Sequence, residues 1–184
     1  MNRACLPAVL AALAAPPACG AAHGAAFGPA PDFTGRTVDG ATFRLGDHLG
    51  RSVVVLAFWT SVCASCKTEL AHLQELHEEL SDRGLLVVAV SMDDAVTVGN
   101  VRTVRDRLGF TFPVVLDEDS TIAGLYNPRA ATPFTVILDG RGRRAWSREG
   151  FTPGDSPESE ARIRSLLADL ESRATATPRN DGPP

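Results

Sequence analysis

The fold of this chain is decided by one stretch of its sequence, VVVLAFWTSVCASC at residues 53–66. Residues 53–59 form an apolar run, which is typical of a strand buried on both faces of a helix-covered sheet. Cys63 and Cys66 then stand three residues apart at the start of a helical pattern. Unpaired N–H groups and the helix dipole favour thiolate at such a position. The stretch therefore predicts a redox-active dithiol at the carboxyl end of a central strand.

The two thiols have different predicted roles. Cys63 opens the helix and is the predicted nucleophile. Cys66 lies one turn further in, where it can close a disulfide within the site or resolve a mixed disulfide with a substrate. An inert structural disulfide fits poorly, because a three-residue spacing closes almost no loop and therefore stabilises little.

Length and composition favour one ordinary globular domain. The chain has 184 residues and a formal net charge of −4, with Lys and Arg scattered among the acids. No basic patch indicates nucleic acid or an anionic membrane as a partner. We expect a linker rich in Gly, Ala and Pro at residues 23–31, followed by the folded domain at residues 32–173.

The N-terminal residues 1–22 resemble an export signal. Arg3 supplies the positive start and residues 6–15 the apolar stretch, which is too short and too broken by proline to span a bilayer. Cys19, flanked by small residues, also matches a lipoprotein cleavage site at which it would be lipidated, although Pro16 stands where such sites usually have a Leu-like residue. We therefore expect a periplasmic or otherwise extracytoplasmic protein, either secreted or lipid-anchored.

The domain alternates between strand and helix patterns. The turn dipeptide Asp39-Gly40 within residues 33–45 predicts an N-terminal β-hairpin. The β-α-β alternation that follows, closed by a second hairpin, predicts an α/β fold with a mixed central sheet flanked by helices. We expect further strands at residues 85–91, 112–116, 134–138 and 144–148, and helices at residues 63–81, 96–108 and near 122.

The last helix has clear start signals. Ser156 is its predicted cap and Pro157 suits its first position, and an apolar stripe begins at Ile163. This helix should cover the sheet face opposite the first helix. Residues 174–184 lack apolar periodicity and contain helix breakers, so they are predicted to form a disordered tail.

Three segments together resemble the TlpA and ResA type of redoxin. They are FWTSVCASCKTE at residues 58–69, ATPF at 131–134 and LDGRG at 138–142. Proteins of this type are exported thiol-disulfide oxidoreductases with a thioredoxin-like fold, and the resemblance covers about residues 31–173. It implies the same fold and the same chemistry here.

The resemblance also implies a substrate-binding region around the dithiol. In this family the proline before the late central strand is cis and lies against the dithiol, and Pro133 takes this place. Thr132 would offer backbone groups to an extended substrate, and Val62, Ala64 and Ser65 border the sulfurs and are assigned to substrate binding. The alternative for Pro133 is an ordinary trans proline that starts an edge strand.

Glu69 is a further candidate for the site. It stands three residues after Cys66 and shares its helix face. In ResA-like proteins an acid at this spacing influences proton transfers of the thiols, so Glu69 is predicted to accept a proton from Cys66 during exchange. The alternative is a solvated helix glutamate. Thioredoxins carry a buried Asp where this chain has Ala57, so proton handling must use water or Glu69.

Two other functions stay open. Thr60 precedes Cys63 as in the peroxiredoxin pattern Pro-x-x-x-Thr-x-x-Cys, but Leu56 occupies the proline position. A copper chaperone is the other alternative, because two thiols can bind Cu(I). Zinc would need two further ligands, and His72 and His77 point differently from the dithiol. No resident metal or cofactor is expected.

The sequence thus predicts an exported thiol-disulfide oxidoreductase that reduces or exchanges protein disulfides. The resemblance implies apocytochrome c or copper-centre assembly factors as partners. An exported reductase must also be recharged by a membrane thiol-disulfide electron carrier, because its compartment is oxidising.

Overall fold

A computed structural model describes residues 28–176, which form one seven-stranded mixed sheet with α-helices packed on it. The predicted export signal, Cys19 and most of the predicted linker lie outside the described residues, as do residues 177–184. The strands are β1 (Thr34–Thr37), β2 (Thr42–Arg44), β3 (Val53–Trp59), β4 (Leu85–Ser91), β5 (Val114–Leu116), β6 (Phe134–Leu138) and β7 (Arg144–Glu149). The α-helices are α1 (Ala64–Leu80), α2 (Gly99–Leu108), α3 (Thr121–Tyr126) and α4 (Ser156–Ala176), with short 3-10 turns at Leu45–Asp47, Ser81–Arg83 and Pro153–Asp155.

The sheet has the strand order β2-β1-β5-β4-β3-β6-β7. Strand β3 lies between β4, to which it is parallel, and β6, to which it is antiparallel. All seven of its residues are buried, as the apolar run predicts. The N-terminal hairpin is also present, and β1 joins it to the main sheet through β5. The predicted mixed α/β sheet is therefore confirmed.

The side chains of β3 alternate between two hydrophobic cores. One core contains Val53, Val55, Ala57 and Trp59 together with the apolar stripe of α1. The other contains the alternate β3 residues, the N-terminal hairpin and α3. The α1 stripe consists of Leu70, Leu73, Leu76 and Leu80.

Helix α4 lies on the same sheet face as α1, so the prediction that it covers the opposite face is wrong. Its buried residues, Ile163 and Leu167, belong to the core that α1 also lines. The periodicity of a helix shows that it has an apolar face, but it does not show which face of the sheet receives it. Segments from the N-terminal hairpin and α3 occupy the other face instead.

Two helix starts differ from the prediction. Thr152, rather than Ser156, forms a capping box with Asp155, so a 3-10 turn precedes α4 and Ser156 is already inside the helix. Helix α2 begins at Gly99 rather than at residue 96. The Asp94 carboxylate accepts hydrogen bonds from N–H groups of the turn that follows it, and these bonds keep that turn outside the helix.

The folded region is also longer at both ends than residues 32–173. Pro29 forms a β-bridge with Arg143, and Ala30 is buried, within the segment predicted as a linker. Helix α4 extends to Ala176, into the predicted tail. None of the helices between residues 28 and 176 is long and apolar enough to cross a membrane.

Replacing Leu70 with Ala tests the packing of α1 on the sheet. Leu70 is fully buried, so we expect the free energy of unfolding to fall by about 2–5 kcal/mol in chemical denaturation. Leu125→Ala is the control, because Leu125 is 39% exposed and should cost much less. Equal losses in the two variants would contradict this packing.

Candidate active site

The dithiol lies where β3 passes into α1. The strand ends at Trp59, a three-residue loop follows, and Cys63 caps the N-terminus of α1. Cys63 and Cys66 form a disulfide with a Cα–Cα distance of 5.3 Å. The backbone N–H of Cys66 donates to the Cys63 sulfur at 3.2 Å, so an N–H group of the first turn points at this atom. In the reduced protein the same N–H group would favour a thiolate on Cys63.

The two sulfurs have unequal access to solvent. Cys63 is partly exposed, whereas Cys66 is fully buried and packs in the same core as Leu70 and Trp59. Only Cys63 can therefore be reached by a bulky disulfide without a change of structure. This asymmetry agrees with a division into an attacking and a resolving thiol.

Pro133 adjoins the same end of the sheet. The Thr132–Pro133 peptide bond is cis, and Pro133 immediately precedes β6. Phe134, the first residue of β6, pairs with Phe58 near the end of β3, which brings Pro133 to the level of the dithiol loop. Pro133 is buried, and its carbonyl accepts a hydrogen bond of 2.8 Å from the N–H of Gly150.

The residues predicted to bind substrate lie on the surface. Val62 is 71% exposed, an unusual value for an apolar side chain, and it directly precedes Cys63. Ala64, Ser65 and Thr132 are exposed as well, and the Ser65 hydroxyl lies 3.5 Å from the Cys63 sulfur. Val62, Ala64 and Ser65 therefore form an accessible, weakly polar surface next to Cys63.

Glu69 is a buried acid on the helix face of Cys66. It is 8% exposed, so the alternative of a solvated helix glutamate is wrong. The hydroxyl of Thr135 donates to its Oε1 at 2.6 Å. Burial raises the pKa of Glu69 to about 7, against the opposing effects of the Thr135 hydrogen bond and the positive charge of Arg148, while Asp155 adds to the rise. A carboxyl group with this pKa can both accept and release a proton near neutral pH.

Asp93 is a site residue that sequence reasoning missed. Its buried carboxylate accepts hydrogen bonds from the Ser61 N–H (2.8 Å), the Ser61 hydroxyl (2.5 Å) and the Ser91 hydroxyl (2.8 Å). It thereby ties the loop before Cys63 to the end of β4. The sequence does contain a signal for Asp93: an acid stands two residues after a buried strand, at the end of the sheet where functional sites of α/β folds lie.

Asn127 fixes the other loop of the site and was also missed. Its side-chain amide donates to the Ala131 carbonyl at 2.7 Å and accepts from the Ala131 N–H at 3.1 Å. This pair of hydrogen bonds closes the loop that leads to Pro133. Its amide also contacts the Met92 sulfur at 3.6 Å. The Asn-Pro dipeptide at residues 127–128 indicates a turn, but not this partner.

The histidines of α1 have neighbours other than the dithiol. His77 lies edge-on to Phe112, and burial lowers its pKa. The ring of His72 lies 4.0 Å from the Glu75 carboxylate. Within residues 28–176, no three or more His, Cys, Asp or Glu side chains come together as a metal site.

The sequence matches known proteins over most of this domain. Residues 28–144 match the AhpC/TSA family. The chain is 31% identical over 114 residues to the thiol-disulfide oxidoreductase ResA of Geobacillus thermodenitrificans, and 36% identical over 114 residues to the thioredoxin-like protein YneN of Bacillus subtilis. These alignments cover 62% and 61% of this chain. The chain spans 63% and 65% of the length of these two relatives.

Solved structures give the same fold. A Chlorobium tepidum protein, provisionally described as thiol:disulfide interchange protein DsbE, superposes with a TM-score of 0.71 at 27% identity, covering 78% of this chain and 98% of the other. A thioredoxin-like protein from Porphyromonas gingivalis superposes with a TM-score of 0.64 at 24% identity, covering 79% and 95% of the two chains. The predicted thioredoxin-like fold is confirmed.

Replacing Asp93 with Ala tests the tie between the dithiol loop and β4. The variant leaves the Ser61 N–H without its acceptor, so we expect the free energy of unfolding to fall by about 1–3 kcal/mol in urea. Asp93→Asn keeps an acceptor oxygen and should lose less. Glu118→Ala removes an exposed acid and serves as control. An Asp93→Ala variant as stable as this control would refute the role of Asp93.

Proposed function

Since the chain belongs to the AhpC/TSA family, we propose that it is a thiol-disulfide oxidoreductase that exchanges its Cys63–Cys66 dithiol with protein disulfides. One observation carries the proposal: a partly exposed cysteine at a helix N-terminus forms a disulfide with a buried cysteine, which lies on the same helix face as a buried acid. The relatives named thiol-disulfide oxidoreductase ResA support the same reaction.

In the reducing direction, the reaction starts at Cys63. Its thiolate attacks one sulfur of a substrate disulfide, a mixed disulfide forms, and the other substrate sulfur leaves as a thiolate. Cys66 then loses its proton and attacks the Cys63 sulfur, which releases the second substrate thiolate. Two electrons pass from the dithiol to the substrate, and the Cys63–Cys66 disulfide remains. The leaving thiolates take up protons from solvent or from the site.

Glu69 is the proposed acceptor of the Cys66 proton. Cys66 is buried, so its proton cannot pass directly to bulk water. The carboxylate of Glu69 shares its helix face, and with a pKa of about 7 it is ionised in roughly half of the molecules at neutral pH. Ala57 supplies no acid, unlike the buried Asp of thioredoxins, which leaves water or Glu69, and Glu69 is the acceptor that we propose.

Pro133 and the exposed residues around it are the proposed substrate contacts. An extended substrate segment would lie along Thr132, whose backbone precedes the buried Pro133, and place its sulfur over Cys63. Val62, Ala64 and Ser65 would border it on the helix side. Contacts of this kind use backbone groups and small or apolar side chains, so they fit substrates of varied sequence.

We place the protein outside the cytoplasm in this proposal, because residues 1–22 have the pattern of an export signal. In the lipoprotein alternative, Cys19 would carry the lipid. Protein disulfides, with apocytochrome c or copper-centre assembly factors among them, are the proposed substrates. A membrane thiol-disulfide carrier would return the dithiol to its reduced form.

A peroxidase is less well supported. Leu56, at the position of the peroxiredoxin proline, is fully buried in β3 and has hydrogen-bonded neighbour strands on both sides. A central strand does not admit proline at such a position, so the segment before the cysteine has a different structure from the one that the pattern needs.

Trapping separates the roles of the two cysteines. Reduced Cys66→Ser protein, given an excess of a disulfide-bonded peptide, should accumulate a stable mixed disulfide that intact-mass spectrometry detects. Cys63→Ser is the matched control and should form its adduct more than about tenfold more slowly, because attack requires an accessible thiolate. If only Cys63→Ser traps the peptide, nucleophile and resolving thiol are exchanged.

Glu69→Gln tests proton transfer. In the native protein Glu69 becomes protonated as the pH falls through about 7, so release of substrate from the mixed disulfide should slow in the same range. The variant should lose this step in its pH profile and be slower at neutral pH by at least about tenfold. Stopped-flow measurement of the release rate from pH 5 to pH 9 checks this. An unchanged profile would remove Glu69 from the reaction.

A further inference from the structure

A row of three residues crosses the sheet directly beside Glu69. Ala57 on β3 pairs with Thr135 on β6, and Thr135 pairs with Arg148 on β7. Side chains that pair directly across antiparallel strands share one face, with Cβ atoms about 4.5–5.5 Å apart. This is the face on which Ala57 joins the α1 core, and on it the Thr135 hydroxyl donates to Glu69. Glu69 therefore lies over this row. Its hydrogen-bond donor, Thr135, has the cationic side chain of Arg148 as its neighbour in the row.

Two acids near the start of α4 hold the Arg148 side chain in place. Its guanidinium donates to Asp155 in the 3-10 turn before α4, and to Glu158 in α4 at 2.9 Å. Asp155 is itself fixed, because it accepts the Thr152 N–H at 2.7 Å in the capping box. The Arg148 side chain is 30% exposed, so its charge is only partly screened by solvent.

The charged groups that act on Glu69 come from two elements of the structure. Arg148 on β7 favours the carboxylate, and Asp155 in the turn before α4 opposes it more weakly. Glu158 binds Arg148 from α4 and is 66% exposed. Desolvation is the largest influence, and Arg148 is the cation that counters it.

We propose that Arg148 is a positioning residue of the site: anchored by Asp155 and Glu158, its guanidinium presents a fixed positive charge to the Glu69 carboxyl beside Thr135. The inference rests on the proposed function, in which Glu69 accepts the Cys66 proton. Arg148 touches neither sulfur and acts through Glu69. Without it, Glu69 would stay protonated to higher pH, and fewer molecules could accept the proton.

Arg148→Met tests the proposal in the disulfide form of the protein, in which neither cysteine titrates. The carboxyl carbon of Glu69, identified by its absence in Glu69→Gln, is followed by ¹³C NMR from pH 4 to pH 10. We expect the titration midpoint of Glu69 to rise by roughly half a pH unit. The loss of a fully buried positive charge would cause a larger rise, but Arg148 is partly exposed and solvent screens part of its charge. Arg148→Lys keeps the charge and should stay near the native midpoint.

Arg129→Met is the matched control, because Arg129 pairs with Glu149 at the surface and is 78% exposed. Its midpoint should equal that of the native protein. Arg148→Gln, which can still donate to Asp155, replaces the Met variant if the latter does not fold and should show the same rise. A native midpoint in Arg148→Met or Arg148→Gln, or an equal shift in Arg129→Met, would overturn the proposal.

The rate of substrate release separates this proposal from the proposed function. Below the midpoint, half a unit corresponds to an about threefold lower fraction of ionised Glu69, so release at pH 6 should slow about threefold in Arg148→Met. A raised midpoint with an unchanged release rate would support the action of Arg148 on Glu69, and would contradict the role of Glu69 in the exchange.

Discussion

Complete burial of β3 is the constraint on which the site depends. A strand shielded on both faces and paired on both edges cannot shift its register without moving seven side chains out of two cores. Its end at Trp59 therefore has a fixed place, and so have Cys63, four residues later, and the first turn of α1. The same strand positions β6, and with it Pro133. Cys63 and the buried Pro133 thus lie at the same end of the sheet, because Cys63 follows β3 in the chain and Pro133 precedes the strand that pairs with it.

The proposed reaction also requires a buried acid that can ionise near neutral pH. Ala57 is small, and Thr135 beside it supplies a hydroxyl donor, so the Glu69 carboxyl is accommodated over the sheet with a hydrogen bond. Burial raises the pKa of this carboxyl, and the Thr135 hydrogen bond and the positive charge of Arg148 oppose that effect. Because the folded protein binds this proton more tightly than an unfolded chain does, Glu69 costs stability as the pH rises through about 7. The chain thus gives up some stability at the position that its proposed chemistry needs.

Local patterns predicted the parts of the structure that local forces determine. The apolar run of β3, the Leu stripe of α1 and the turn at Asp39-Gly40 each depend on residues close in sequence, and each is present. The features that the sequence patterns did not predict involve partners outside the local pattern. The bonds from Asp93 to Ser61 and from Asn127 to Ala131 depend on which loops the folded chain brings together. The sheet face on which α4 packs likewise depends on which other segments cover the sheet. The apolar periodicity of the helix carries no information about those segments.

In the proposed reaction, the partly exposed thiolate of Cys63 attacks and the buried thiol of Cys66 completes the exchange. Alkylation of the fully reduced protein with limiting iodoacetamide between pH 5 and pH 9, with each cysteine quantified by mass spectrometry, tests this most directly. We predict that Cys63 is modified first at every pH, with a midpoint below the ordinary thiol pKa of about 8.5, and that Cys66 is modified only slowly. Faster modification of Cys66, or a Cys63 midpoint at or above the ordinary value, would contradict the claim.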